Sequence, residues 1–274
     1  MRFGPELSNL LCARRSPITS NLQSTIRDLQ RRKARERRGL ALLEGVRLVE
    51  EALGATVPLR GVVAADDLDR TPRGAALIEN LARRAVPVET VPAHELDRLA
   101  ETDTPQGIVA VAEPRRWTEA DLVLGERAAV LVLDAVQDPG NLGALVRTAF
   151  ALGAAGVIAL KGTVDWTNPK ALRAAMGASF RLPVVPLDDA QLAGWATRQR
   201  CTLWAAAADG LPVERVGPIP QRVAILVGNE GGGVRAELAG LGAKRVGIPL
   251  TRGAESLNVA VAAGILLHEV LRAR

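Results

Sequence analysis

The sequence predicts an α/β protein in two units, a smaller one over residues 21–113 and a larger one over residues 125–274 built on a mostly parallel sheet. Three observations carry this expectation. Short apolar runs alternate with amphipathic stretches along nearly the whole chain, the pattern of strand–helix–strand units. Several later runs, such as Ala129–Leu133 and Val223–Val227, are continuously apolar rather than alternating, as parallel strands covered on both faces require. Between the two series, Glu113-Pro114-Arg115-Arg116-Trp117 breaks the pattern, so residues 114–124 read as a linker.

Taken in order, residues 1–20 lack periodicity and are expected to be flexible. Asn21–Arg38 reads as one basic amphipathic helix, Leu40–Leu43 as a strand, and Glu44–Leu53 as a helix with Val46, Val49 and Leu53 on one side. Gly61–Ala64 is a strand, Gly74–Arg84 a helix, Val86–Val88 a short edge strand, Pro92–Leu96 a small helix and Gly107–Ala112 a closing strand. In the second unit the expected strands are Ala129–Leu133, Gly156–Leu160, Pro183–Val185, Thr202–Ala206, Val223–Val227 and Arg245–Ile248. Helices are expected at Gly143–Leu152, Pro169–Phe180, Asp188–Arg198, Arg235–Leu241 and Ser256–Leu271.

The last of these stretches points to a ligand. A strand ended by Pro249 leads into a polar turn, Thr251–Glu255, and Ser256 stands where a helix N-cap belongs. From Leu257 to Leu271 only Asn258, His268 and Glu269 are strongly polar. A helix that is apolar on nearly every side is expected to be buried on nearly every side. The run is too short and too interrupted to span a bilayer. Its polar first turn, Ser256 and Asn258, then needs partners, which a ligand would supply.

Composition narrows the classes. The two cysteines, Cys12 and Cys201, lie far apart, which argues against a disulfide framework and fits a reducing, cytoplasmic setting. No His/Cys/Asp/Glu cluster has metal-ligand spacing, and His94 and His268 stand alone. No charged region precedes an apolar signal stretch at the N-terminus, so neither secretion nor membrane insertion is expected. A net charge of +5 and a pI near 10.0 are the electrostatic footprint of a nucleic-acid binder. The charge is densest from Arg27 to Arg38, where Arg27, Arg31, Arg32, Lys33, Arg35, Arg37 and Arg38 face only Asp28 and Glu36. Such a run can be no more than a solvated helix face. The RNA reading rests on an expected lack of acidic partners one turn away. Aromatic content of 3% and the absence of tyrosine disfavour a base-stacking platform, so contact through phosphates and shape is expected.

Three loops in the second unit follow strand ends, the edge at which open α/β sheets bind ligands. The first, Asp134–Gly143, leads into a helix that carries Arg147, with Asn141 expected to cap that helix. Taken alone, Asn141 could be only a cap and Arg147 only a surface cation. The second, Leu226–Gly233, sets four glycines and Glu230 behind a buried strand, as where backbone approaches a ligand closely. It is neither a G-x-G-x-x-G turn nor a P-loop, and taken alone it is more simply a flexible turn. The third is the turn before the last helix.

Together these loops resemble, in residues, order and spacing, the three motifs of the SpoU/TrmH family of RNA ribose 2′-O-methyltransferases, of the SPOUT superfamily. The first corresponds to Asp138–Ala149, the second to Leu226–Val234, and the third to Ile248-Pro249-Leu250 followed by Ser256–Ala262. The resemblance covers residues 125–274. It extends more loosely to the first unit, where Leu42–Val49 and Thr104–Ile108 are similar to the family's RNA-recognition domain of L30e-like type. It implies a C-terminal α/β-knot domain with a deep trefoil knot, S-adenosyl-L-methionine as methyl donor, and a homodimer formed through the knot domain. It also implies that backbone at Gly228, Ile248 and Leu257 holds the cofactor, and that the last helix is the threaded end of the knot.

The implied reaction is in-line displacement at a sulfonium methyl by a ribose 2′-hydroxyl, which needs positioning and a deprotonating influence but no metal. The resemblance places Arg147 at the attacking hydroxyl. A guanidinium keeps its proton up to a pKa above about 12, so Arg147 is expected to bind the adjacent phosphate and stabilise the developing alkoxide rather than act as a base. Glu230 would orient Arg147 or accept the proton, and Asn141, Ser256 and Asn258 would hold the ribose and the loops. Basic charge and a separate auxiliary domain favour ribosomal RNA, of the 23S type, as substrate. The alternatives are a tRNA 2′-O-methyltransferase, a SPOUT enzyme acting on a base nitrogen, and a non-catalytic RNA-binding SPOUT protein. An ordinary Rossmann nucleotide enzyme would leave the order of Asn141, Arg147, Ser256 and Asn258 unexplained.

Overall fold

The computed structural model describes residues 19–101, 106–229, 231–241, 243–251 and 254–272. Contacts divide the chain into two compact units, residues 1–115 and 116–274. The first contains α1 (Thr19–Leu29), α2 (Arg32–Arg38), β1 (Ala41–Glu44), α3 (Val46–Gly54), β2 (Leu59–Ala65), α4 (Pro72–Arg83), β3 (Val88–Val91), α5 (Ala93–Asp97) and β4 (Ile108–Ala112). Its sheet runs β1-β4-β2-β3, with β4 antiparallel to both neighbours and β3 parallel to β2. One face buries Leu42, Val63, Val109 and Val111 against Ile26 and Leu29 of α1 and Leu96 of α5.

The single helix expected over residues 21–38 is two helices. Arg31 is extended at the break, and Arg35 folds back with only 3% of its surface exposed. Its Nη1 donates to the carbonyls of Leu29 and Gln30 at 3.1 and 3.0 Å, supplying the donors that the last turn of α1 lacks. The expected absence of acidic partners is also corrected. Arg32 pairs with Glu36 at 2.6 Å, and Asp28 gathers Arg37 and Arg38 at 3.3 and 2.9 Å. Arg27 and Lys33 are exposed and have no acidic partner among the described residues. Of the expected flexible N-terminus, residues 1–18 lie outside the described residues, as do Thr104 and Pro105, while Thr19 and Ser20 open α1.

The second unit contains β5 (Ala128–Asp134), α6 (Pro139–Leu152), β6 (Gly156–Ala159), α7 (Pro169–Ala175), β7 (Val184–Pro186), α8 (Asp189–Gln199), β8 (Thr202–Pro212), β9 (Arg222–Gly228), α9 (Ala236–Ala239), β10 (Lys244–Gly247) and α10 (Val259–Arg272). Six strands in the order β10-β8-β9-β5-β6-β7 form one sheet, and every pairing is parallel. β5 lies at its centre and is buried along its whole length. Ala129, Leu131 and Leu133 pack with α6, α7 and α10, while Val130 and Val132 pack with Leu192 and Trp195 of α8. Both faces are therefore covered, which is why the strand is continuously apolar. The chain steps outward from β5 to β6 and β7, then crosses back to β8, so the strand order reverses between β5 and β9.

Two boundaries differ from expectation for backbone reasons. The helix from Pro169 stops at Ala175 because Met176 and Gly177 are left-handed, with φ of 51° and 82°. The strand from Thr202 runs on to Pro212, and its register against β10 jumps between Arg245 (opposite Ala205) and Val246 (opposite Leu211). There Gly210 and Gly247 pass backbone to backbone. A Cβ on Gly210 would lie 2.6 Å from the carbonyl carbon of Val246, and one on Gly247 would lie 2.8 Å from the Gly210 oxygen. Only glycine fits at either place.

The last helix is not buried on nearly every side. Val259, Ala263, Leu266, Leu267 and Val270 face the core, whereas Val261 is 52% exposed and lines an open apolar cleft with Thr148, Ala260, Gly264, Ile265 and His268. Among the described residues no helix is long and apolar enough to cross a membrane.

Candidate active site

The carboxyl ends of β5, β9 and β10 lie at one edge of the parallel sheet, and the three candidate loops leave from it. In the first loop Asp138, not Asn141, caps α6: its Oδ1 accepts the Asn141 N–H at 2.8 Å, and Pro139 occupies the first helical position. The sequence carried this signal, since Asp before Pro is a helix-start pattern. Asn141 is thereby placed in the first turn. Lys170 Nζ lies 3.4 Å from the other Asp138 oxygen. The Asn141 N–H, and then the Lys170 charge, hold the Asp138 carboxyl below the usual carboxylate range. The loop is seated by Gly143, where a Cβ would meet the Ala171 oxygen at 2.4 Å, so α6 lies directly on α7. Arg147 sits further along α6, exposed and without an ion pair or hydrogen bond among the described residues.

In the third loop Asn258 replaces Ser256 as the helix cap. Its Oδ1 accepts the Ala260 N–H at 2.9 Å, and its Nδ2 donates to Asn141 Oδ1 at 3.1 Å. The first and third loops are thus joined by a direct hydrogen bond. Ser256 is exposed and makes no hydrogen bond among the described residues. Leu257 is 37% exposed, and Ile248 is half-buried against the core that includes Val246 and Val259.

In the second loop β9 ends at Gly228, in register with Asp134 of β5. Asn229 organises the turn beyond it: the Asn229 Nδ2 donates to the Ala135 carbonyl at 3.2 Å, and its Oδ1 accepts the Gly231 N–H at 2.9 Å. Its carbonyl accepts the Gly233 N–H at 2.8 Å. A Cβ on Gly228 would fall 1.9 Å from the Gly233 oxygen, so a side chain cannot enter there. At Gly232 and Gly233 a Cβ would meet nothing within 4 Å, which leaves bare backbone open to a ligand. Glu230 lies outside the described residues.

The sequence pattern gave no hint of the contact beneath this loop. Asp134 is fully buried and accepts from Arg235 twice, from the backbone N–H at 2.8 Å and from Nε at 2.7 Å. The two terminal nitrogens of Arg235 reach Asp189 at 3.2 and 3.0 Å. Hydrogen bonds to Asp189 and then Asp134 raise the guanidinium above its ordinary pKa. No local signal marks a contact between residues so far apart in sequence.

Burial pushes the Cys201 thiol up to about 11, so it stays protonated at neutral pH and is a poor nucleophile. Among the described residues no group of three or more His, Cys, Asp or Glu could hold a metal ion. The edge of the sheet offers two coupled amides and a glycine loop with open backbone, and α6 carries the exposed guanidinium of Arg147. These are means for positioning a polar substrate beside a cofactor held by main-chain atoms.

Comparison with known proteins agrees with this geometry. The SpoU rRNA Methylase family matches residues 128–268, and the MRM3-like substrate binding domain matches residues 24–110. The chain is 34% identical over 243 residues to the 23S rRNA (guanosine(2553)-2′-O)-methyltransferase of Bacillus subtilis, covering 88% of this chain and 92% of that one. It is 32% identical to the 23S rRNA (adenosine(1067)-2′-O)-methyltransferase of Streptomyces azureus, covering 83% and 84%. The AdoMet-bound rRNA methyltransferase from Sinorhizobium meliloti superposes with a TM-score of 0.80 at 29% identity, covering 94% of this chain and 96% of that one. With all three loops present and the match running through both units, the chain belongs to the SpoU rRNA methylase family.

Proposed function

We infer that this protein transfers the methyl group of S-adenosyl-L-methionine to a ribose 2′-hydroxyl of 23S ribosomal RNA. The observation that carries the reading is the Asn258–Asn141 hydrogen bond of 3.1 Å, which joins the third loop to the start of the helix that carries the exposed Arg147. The relatives act on 23S rRNA at the ribose oxygen, and the solved neighbour is bound to AdoMet.

The residues present fit the cofactor. Gly228 allows tight closure of the loop, and Gly232 and Gly233 leave main-chain groups uncovered. Backbone at Gly228, Ile248 and Leu257 holds the cofactor, which when bound supplies an electrophilic methyl on a sulfonium. Arg147 then binds the phosphate next to the acceptor ribose and stabilises negative charge growing on its 2′-oxygen. Asn141 and Asn258 fix the ribose from one side, with Ser256 at the rim, and Glu230 orients Arg147 or takes the proton. In the first unit, Arg27 and Lys33 remain unneutralised for contact with RNA phosphates.

Three further readings belong to this proposal. The chain forms a homodimer through the cleft between α6 and α10, because among the described residues nothing covers the exposed Val261 and the half-buried Ile265 beside it. The C-terminal unit is a trefoil knot, a reading supported by the likeness to the AdoMet-bound methyltransferase and by the close backbone approach of β8 and β10 at Gly210 and Gly247. The protein works in the cytoplasm, where its substrate is made.

The test is methylation in vitro with radiolabelled S-adenosylmethionine, using 23S rRNA, 16S rRNA and tRNA from cells lacking this protein. Label is expected on ribose in 23S rRNA alone. Label on a base, label in tRNA, or cofactor binding without transfer to any RNA would each replace this reading with one of its rivals.

A further inference from the structure

The glycine loop has almost no side chains of its own with which to hold a shape. Gly231, Gly232 and Gly233 are consecutive, and such a run loses more conformational freedom on ordering than any other. Binding a ligand on bare backbone is therefore costly unless the ends of the loop are fixed beforehand. Both ends are fixed on the segment at and just beyond the end of β5. The leaving end is tied by Asn229 to the Ala135 carbonyl at 3.2 Å. The returning end is tied by Arg235, whose N–H and Nε both meet the buried Asp134 carboxylate. The outer edge of the same guanidinium forks onto Asp189 at the start of α8. Arg235 is 39% exposed and Asp134 not at all, so Arg235 is the charge that compensates the buried carboxylate.

We propose that Arg235, gripped between Asp134 and Asp189, is a positioning residue for methyl transfer that presets the Gly228–Val234 loop and thereby sets the affinity for S-adenosylmethionine. The proposal rests on the reading that this loop holds the cofactor. Arg235 touches neither substrate in this role and acts through the loop alone. Lysine cannot replace it: a single ammonium can satisfy Asp134, but it cannot also fork onto Asp189.

Calorimetric titration with S-adenosylmethionine, together with hydrogen exchange over residues 229–234, tests both ideas separately. In the wild-type protein the cofactor should slow exchange in that segment. Arg235→Lys should weaken cofactor binding by about tenfold, equivalent to ~1.4 kcal/mol. Exchange in its free loop should be faster, while its melting temperature stays close to wild type. Asp189→Asn leaves the whole Asp134 arm and a neutral acceptor for the outer edge of Arg235, and should weaken binding by roughly threefold. In methylation assays KM for the cofactor should rise, whereas kcat at saturating cofactor and KM for RNA hold. Arg235→Gln should be weaker still, and if it fails to fold, Arg235→Lys and Asp189→Asn decide. Wild-type affinity in these variants, with the loop protected by cofactor in the parent protein, overturns the role of Arg235. A parent loop that S-adenosylmethionine leaves unprotected overturns the cofactor-loop reading itself.

Discussion

Asn258 and Asn141 are 117 residues apart in sequence and share a hydrogen bond of 3.1 Å between their side-chain amides. Each is also anchored to the start of a helix. The Asn258 oxygen is occupied by the Ala260 N–H, and the Asn141 backbone N–H by Asp138. Neither amide can turn over without losing one of these bonds, so together they present a fixed donor and acceptor pattern.

That coupling predicts a non-additive pair. Asn258→Ala should cost about 1 kcal/mol of stability through the lost cap, and each single variant should lower kcat/KM. A double-mutant cycle should give an interaction energy of order 1 kcal/mol in activity. Simple additivity would show that the two amides work independently.

Arg147→Lys keeps the charge but loses the planar fork. The expected result is a fall in kcat of about a hundredfold, with cofactor affinity unchanged. Near-normal turnover would remove the bidentate role assigned to this guanidinium.

Asp138 predicts a pH dependence whose sign is set by its lowered pKa. Its charge contributes stability that is fully present above the unfolded carboxyl value, about 3.9, and is lost as pH falls through the lower folded value. Asparagine caps a helix as well as aspartate does, so Asp138→Asn isolates the charge. Thermal melts should show the variant slightly less stable at about pH 7, with the difference shrinking as acid protonates the wild-type carboxylate. A difference that persists at acid pH would assign the effect to something other than ionisation.

Val261→Glu places a carboxylate on the open stripe of α10 without touching the core side of that helix. Light scattering should show wild-type protein at twice the 29.0 kDa chain mass and the variant at the chain mass. A monomeric wild type would sink the homodimer reading.

The second unit was legible because its strands are buried on both faces and so spell themselves out as apolar runs, as β5 does. The site was legible as three loops in a fixed order. The choice among neighbouring capping residues was not. Asp138 stands three residues before Asn141, and Ser256 two before Asn258; each is a competent cap, and tertiary contacts decide which is used. The break between α1 and α2 was hidden because its cause is Arg35 bending back onto carbonyls, whereas a basic run reads simply as a charged helix. The bare side of α10 was hidden for a related reason. An apolar helix has the same composition whether its own chain or another covers it. Arg235, Asp134 and Asp189 carry no local pattern at all, since their contacts span 101 and 46 residues.

The close approach of Gly210 and Gly247 bears on how fast this unit can form. β5 pairs only with strands that come later in the chain, Ala128 finding Arg222 across most of the unit, and every neighbour in the sheet is parallel. Such non-local pairing makes a slow search, on the order of milliseconds to seconds for small domains and longer for larger ones. The Gly210 segment and β10 must also dock with no side chain between their backbones. Until they do, the apolar faces of β5 and β9 lack part of their cover. Recovery from denaturant should therefore be limited by this non-local pairing, and it should fall off as protein concentration rises and exposed strands meet one another instead.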